Sequence, residues 1–191
     1  MDTKNSDEFI DDRADMYDYQ LLIEKLPLRV GLHSKNHTER VLMLAYLLAE
    51  ENHLSIYEKK ILYQSVVFHD AGRIDDSVDL NHGWGGYIEY IKKFGPNDVA
   101  EFLIVFHCKP DSDAKKYLKT KILSMDNERV WLLYRILKDS DALDRIRFGG
   151  LNTNYLRLRK SHELIEIAKY MIEADLEKEN ELRKGNIPNF V

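Results

Sequence analysis

The sequence predicts an all-α fold. Apolar side chains recur at helical spacing, as at Val130, Leu133, Tyr134 and Leu137, which form an i, i+3, i+4, i+7 stripe. No stretch alternates apolar and polar residues in the way that a half-buried strand does. Only four prolines and nine glycines interrupt the chain, so long helices are possible. These three features together indicate a bundle of helices.

Eight segments carry the helical pattern, and several end or begin at residues that stop or cap helices. Pro27 ends the first segment, and the Gly95-Pro96 step ends the fourth. Ser55 and Glu58 form a capping box at the start of the third. The predicted helices are residues 8–26, 36–52, 56–71, 84–94, 97–107, 112–124, 127–147 and 155–184.

Length and composition indicate one cytoplasmic domain, residues 1–191, with no membrane partner. The chain is 44% apolar and 32% charged, which is typical of a globular domain with its own core. A net charge of −5 with dispersed Lys and Arg argues against DNA, RNA or anionic membranes as partners. The longest apolar run, Val41 to Ala49, is too short to span a membrane, and the acidic start is unlike a signal peptide. Because Cys108 is the only cysteine, an internal disulfide and a thiolate zinc cluster are excluded.

Histidine or aspartate stands at or near the ends of apolar helices in five places. In the segment VVFHDAGRIDD, His69 and Asp70 directly follow an apolar run, where a charged group is costly unless it is paired or bound to a metal. The other positions are His37, His82, His107 and Asp141. Imidazole and carboxylate together suit divalent metals of intermediate hardness. One such histidine is more often structural, but the repetition favours a metal site built from several helices.

The order His37, His69-Asp70, Asp141 resembles the HD-domain superfamily of metal-dependent phosphohydrolases. The resemblance covers residues 32–148 and includes HSKNHTERVLMLAYLLA before the pair and DSDALDRIRFG at the last aspartate. It is greatest to small single-domain bacterial members with an HG step, here His82-Gly83. The resemblance implies an HD-type helical bundle with a metal site in its core, preceded by the helix over 8–26 and followed by the helix over 155–184.

The resemblance also implies a ligand set and a cofactor. The matching residues are His37, His69, Asp70 and Asp141 for a first ion, and His82 and His107 as in dinuclear members. Asp70 would bridge the two ions, since a carboxylate has lone pairs for both. The implied cofactor is one or two divalent ions per chain, of Mn, Fe, Co, Ni or Mg. Two imidazoles at the first site disfavour Mg alone, which prefers oxygen ligands.

Arg73 departs from the better-known branches of the superfamily. It stands three residues after Asp70, where nucleotidase and alarmone-hydrolase members have an acidic residue. A guanidinium there can bind a phosphate with two hydrogen bonds, so Asp70 and Arg73 are the predicted catalytic residues. The alternative is that Arg73 only pairs with Asp75 or Asp76.

A second departure follows His107. The cyclic-dinucleotide branch has a Gly-Tyr-Pro signature there, whereas this chain continues with Cys108 and Lys109, which argues against that branch. Arg145 and Arg147 are expected to stabilise the carbonyl end of the helix that carries Asp141. Further candidates for supporting a ligand or contacting the substrate are His33, Asp75, Asp76 and Lys109.

Three functions remain open at this point. The resemblance implies first a phosphohydrolase that acts on a small, nucleotide-like phosphomonoester or phosphodiester through a metal-bound hydroxide. Some HD-fold proteins with nearly the same ligands are instead diiron oxygenases that cleave C–C or C–P bonds. The third function is a non-catalytic metal-stabilised module for signalling or binding. We expect the hydrolase with a small phosphorylated substrate, because phosphohydrolases are the larger part of the superfamily and every ligand position is filled.

Overall fold

The computed structural model describes residues 16–26, 34–77 and 79–184, and every regular element in these ranges is a helix. The α-helices are α1 (Met16–Lys25), α2 (Lys35–Glu51), α3 (Ile56–Phe68), α4 (His82–Phe94), α5 (Asp98–Phe106), α6 (Asp111–Thr120), α7 (Asn127–Asp144), α8 (Arg159–Glu163) and α9 (Ile165–Arg183). Two 3-10 helices cover Arg145–Phe148 and Thr153–Tyr155. The all-α prediction is confirmed. None of the helices described is long and apolar enough to cross a membrane.

Helix α3 lies at the centre of the bundle. Every residue from Ile61 to Phe68 is buried, because α2, α4, α5 and α7 all pack against this helix. The predicted capping box is present at its start: the Ser55 hydroxyl accepts from the Glu58 amide, and Glu58 Oε2 accepts from the Ser55 amide at 2.8 Å. Because the second half of α3 is buried on all sides, its end places His69 and Asp70 at a point enclosed by several other helices.

Two glycines let α4 begin directly against the end of α3. A Cβ atom on Gly72 would overlap the main-chain nitrogen of Gly86, and one on Gly86 would overlap the carbonyl oxygen of Phe68. The two backbones can approach this closely only because neither residue has a side chain. This approach places His82, the first residue of α4, beside Asp70.

The region predicted as one helix over residues 155–184 is divided in the structure. It begins as a 3-10 turn, continues as extended backbone at Leu156 and Leu158, and then forms α8 and α9. The break has a physical cause, since the amides of Arg157 and Leu158 donate to the carboxylate of Asp139 on α7 and not to a helical carbonyl. At the other end of the chain, the predicted helix over 8–26 is α1 from Met16 onward, and its earlier residues lie outside the described ranges.

Candidate metal centre

Five helices bring the six predicted ligands together at one end of the bundle. His37 lies in the first turn of α2, His82 begins α4, and Asp141 is in the last turn of α7. His69 and His107 are the C-cap residues that directly follow α3 and α5, and Asp70 follows His69. All are buried except Asp141, whose side chain is 31% exposed.

The carboxylate of Asp70 lies between two pairs of histidines. Its Oδ2 atom is 3.4 Å from His37 Nε2 and 3.5 Å from His69 Nε2. Its Oδ1 atom is 3.0 Å from His82 Nε2 and 3.4 Å from His107 Nε2. Each oxygen of Asp70 therefore faces a different pair of imidazoles.

The spacings within each pair match two ligands of one metal ion. The Nε2 atoms of His37 and His69 are 3.3 Å apart, and those of His82 and His107 are 2.8 Å apart. Donor atoms about 2.1 Å from a shared ion are about 3.0 Å apart at right angles and about 3.4 Å apart in a tetrahedron. Asp141 Oδ1 lies 3.6 Å from His37 Nε2 and adds a ligand to the first pair. Two groups of side chains at this centre, His37-His69-Asp70 and His82-His107-Cys108, could therefore hold a metal ion.

All four histidines direct Nδ1 away from the centre, toward an oxygen. Nδ1 of His69 donates to the Val66 carbonyl and Nδ1 of His107 to the Ile104 carbonyl, both at 2.6 Å, and Nδ1 of His82 donates to the Asp79 carbonyl. A carbonyl oxygen can only accept, so in each of these three rings Nδ1 carries a hydrogen, and in the neutral form of the ring Nε2 presents a lone pair. Lone pairs facing one another across about 3 Å repel unless a cation lies between them, which is the chemistry of a metal site.

Burial keeps the histidine rings in the form that binds metals. It lowers the pKa of His69 to about 4 and also lowers the pKa of His107, so both imidazoles are neutral at pH 7. The centre thus combines the neutral nitrogen donors of His69 and His107 with the carboxylates of Asp70 and Asp141.

Asp144 is a functional residue that sequence reasoning missed. Its Oδ2 atom accepts from His37 Nδ1 at 2.7 Å, which orients this ring as carbonyls orient the other three. Arg40 Nε donates to Asp144 Oδ1 at 2.5 Å, and Arg147 also pairs with Asp144. Arg147, expected to stabilise a helix end, instead lies beside the residue that orients His37. The sequence offered one indication of this role: Asp144 follows Asp141 by three residues, so on a helix the two side chains lie on the same face.

Arg73 contacts the centre directly. Its Nε atom donates to Asp70 Oδ1 at 3.0 Å, and its Nη1 atom donates to the Ser77 carbonyl at 3.2 Å. Asp75 and Asp76 are exposed on the same loop, where Asp75 accepts from the Ser77 amide. Arg73 therefore contacts the bridging carboxylate itself, a partner the sequence did not indicate.

The remaining candidates lie at the edge of the centre or outside the described residues. Cys108 is close to His82 and His107, but its thiol donates to the Leu80 carbonyl and burial raises its pKa, so Asp70 is the better third donor. Lys109 Nζ lies 4.9 Å from the centre of the Phe106 ring. His33 is outside the described ranges.

Comparisons of this chain with protein-family models, curated proteins and solved structures found no match. Membership of the HD-domain superfamily therefore stays a prediction from the order of the residues. The convergence of donor atoms on Asp70 is a separate observation and depends only on the contacts described above.

Proposed function

We propose that this protein is a metal-dependent phosphohydrolase of the HD type that acts on a small phosphomonoester or phosphodiester. The observation that carries the proposal is the position of Asp70, each oxygen of which faces a pair of inward-directed histidine nitrogens. Two divalent ions held in this way would act as Lewis acids, activating water and stabilising negative charge on phosphoryl oxygens. Four imidazoles favour Mn, Fe, Co or Ni over Mg.

Access to the centre supports a catalytic site over a structural one. Structural metal sites are closed by protein ligands, whereas catalytic sites keep a position open. His37, His69, Asp70, His82 and His107 are each at most 4% exposed, but the Asp141 side chain is 31% exposed. Asp141 also lines a cleft of about 540 Å³. A substrate would therefore reach the centre from the side of Asp141.

Arg73 supplies the charge that a phosphoryl group needs. Its side chain is 18% exposed, and its Nε atom is hydrogen-bonded to Asp70, so the guanidinium is held at the edge of the centre. A guanidinium fixed in this way can donate its outer N–H groups to phosphoryl oxygens. Asp70 would orient Arg73 while it holds the metal, and Arg73 would hold the phosphate in line for attack.

The second candidate is a diiron oxygenase that cleaves a C–C or C–P bond. The observation that favours it is the donor set itself, since four imidazoles and two carboxylates also suit a pair of irons. The oxygenase requires iron and molecular oxygen. The hydrolase would work with any of several divalent metals and without oxygen. The choice of metal and the need for oxygen therefore separate the two.

The test combines metal analysis with turnover. We expect one to two ions per chain in the wild-type protein and oxygen-independent hydrolysis of compounds in a panel of phosphomonoesters and phosphodiesters. Asp70→Ala should lose the metal and reduce turnover by more than about a hundredfold, because even residues that only support metal ligands are worth 10–100-fold. The matched control is Asp113→Ala, which changes an exposed aspartate on α6.

Three results would contradict the hydrolase. Retained metal and full activity in Asp70→Ala would overturn the proposed centre, provided that thermal unfolding shows the variant folded. Two irons with strictly oxygen-dependent turnover would establish the oxygenase. Bound metal without turnover of any phosphate ester, aerobically or anaerobically, would indicate a non-catalytic module.

A further inference from the structure

The cleft beside the metal centre has an unusual charge distribution. It extends from Asp141 between the start of α6, the end of α7 and the segment that precedes α8, and its volume is about 540 Å³. We call it the Asp141 cleft. Four cationic side chains line it, Lys109, Lys138, Arg145 and Arg157, against the carboxylates of Asp111 and Asp141. The protein as a whole has a net charge of −5, so the excess of positive charge in the cleft is opposite in sign to that of the chain.

Two of the four cations are held by hydrogen bonds, Arg157 to carboxylates and Lys138 to main-chain carbonyl oxygens. Arg157 donates to both oxygens of Asp111 at 2.8 Å and to Asp139 at 3.1 Å, so its charge is balanced. Lys138 donates to the carbonyl oxygens of His107 at 2.6 Å and Lys109 at 3.0 Å. These carbonyls fix the position of the ammonium group but do not neutralise it. Burial accordingly lowers the pKa of Lys138.

The other two cations have no carboxylate partner among the described residues. The Lys109 ammonium lies over the Phe106 ring, and the Arg145 side chain is exposed, with no ion pair or hydrogen bond in the part of the chain that the structure describes. Arg145 directly follows α7, four residues after Asp141, and lines the same cleft as this residue. Lys109, Lys138 and Arg145 thus place around one cleft three cationic side chains that form no ion pair with a carboxylate of the described residues.

We propose that the Asp141 cleft binds a second anionic group of the substrate, held by Lys109, Lys138 and Arg145. This inference rests on the proposed function, because it takes the first anionic group to be the phosphoryl group at the metal centre. The substrate class would be a small molecule with two separated anionic groups, such as a bisphosphate or a phosphorylated carboxylic acid. A volume of about 540 Å³ lies within the range of small-molecule sites.

The first experiment measures anion binding without any turnover. Protein stripped of metal by a chelator is titrated with inorganic phosphate and with pyrophosphate in a calorimeter at low salt. We expect Arg145→Gln and Lys109→Gln each to weaken binding about tenfold, because each removes one charged donor from the anion while the other cations of the cleft remain. Lys93→Gln, which removes an exposed lysine from α4, is the matched control. Equal binding by the wild type and both cleft variants would overturn the inference, whatever the protein's activity.

The second experiment measures discrimination between substrates. The ratio of kcat/KM for adenosine 3′,5′-bisphosphate to kcat/KM for AMP should fall about tenfold in Arg145→Gln, while its metal content stays that of the wild type. An unchanged ratio would overturn the role of the cleft even if hydrolysis itself is confirmed. Conversely, absence of hydrolysis would contradict the proposed function but would leave the result of the phosphate titration intact.

Discussion

Helix α7 contributes Asp139 to one polar cluster and Asp141, two residues later, to the metal centre around Asp70. The two clusters differ in which of their polar atoms have hydrogen-bond partners. Around Asp139, the main-chain N–H groups of Arg157 and Leu158, the hydroxyl of Ser161 and the guanidinium of Arg157 all donate to one carboxylate. Around Asp70, the histidine nitrogens that face inward are acceptors. The first group, which we call the Asp139 cluster, contains a full set of donors. In the metal centre, Arg73 Nε is the donor described to Asp70, and the inward-facing histidine nitrogens add none when the rings are neutral.

This difference separates a cluster whose polar groups satisfy one another from one that could hold a metal ion. A buried polar group with all its partners stabilises the fold, whereas converging acceptors destabilise it until a cation is bound. Burial and residue type alone would not distinguish the two, since Asp139 and Asp70 are both buried aspartates. The balance of donors and acceptors is what identifies the metal centre.

The largest expected effect is on the stability of the fold, from a change in the Asp139 cluster. Asp139→Ala should lower the free energy of unfolding by about 3–5 kcal/mol, because it leaves two main-chain N–H groups and the Ser161 hydroxyl without their acceptor and removes one of the two carboxylates that pair with Arg157. Urea unfolding at pH 7 measures this loss. The folded fraction should still bind metal, since Asp139 contacts none of the six ligands in the structure.

The control for this experiment is Asp113→Ala, which we expect to change stability by less than about 0.5 kcal/mol because Asp113 is exposed. Asp70→Ala in chelator provides the contrast, since it removes an acceptor from a centre that has too many. If Asp139→Ala unfolded no more easily than Asp70→Ala under these conditions, the distinction between the two clusters would fail.

A smaller effect is expected from Asp144, which orients His37 without lying in the centre. Asp144→Asn should weaken metal affinity by about 10–100-fold, the range for residues that orient a metal ligand. Metal titration with a competing chelator gives the affinity, and the NMR signals of the His37 ring report its tautomer. Asp175→Asn is the matched control, because Asp175 pairs with the same Arg40 but does not contact His37. An equal loss in both variants would assign Asp144 a merely structural role.

The helices were predictable because their causes are local. Ser55 and Glu58 are three residues apart, and the stripe from Val130 to Leu137 lies within two turns. The division of the last predicted helix was not predictable, since its cause is the Asp139 carboxylate, 18 residues before Arg157 in the chain. A segment with good helical periodicity was thus held extended by a contact that the local sequence does not contain.

That the six candidate residues would lie close together was predictable for a similar reason, whereas the residues that orient them were not. Each of the six ligands stands at or near the end of a helix, a position that a sequence displays directly. The segment DSDALD contains Asp139, Asp141 and Asp144, which the structure places in three different environments. Only the partner distinguishes them, and for Asp144 that partner is His37, 107 residues away. Spacing can identify candidates, but the roles of neighbouring aspartates depend on tertiary contacts.

The smallest expected effect concerns Glu58, which accepts hydrogen bonds from Arg129. Like Asp139, its carboxylate has donors within the protein, but it lies nearer the surface. Hydrogen bonds from Arg129 lower the pKa of Glu58 from 4.5 to about 2, despite the opposing effect of burial. Because the pKa is lowered on folding, the stabilisation is present above pH 4.5 and is lost as the pH falls toward 2.

Glu58→Gln should therefore cost about 1 kcal/mol at pH 7, as expected for a lost helix cap, and progressively less below pH 4.5. Urea unfolding across this range measures the difference, with Glu89→Gln as the exposed-pair control. A pH-independent cost would show that Glu58 acts through packing and not through its charge.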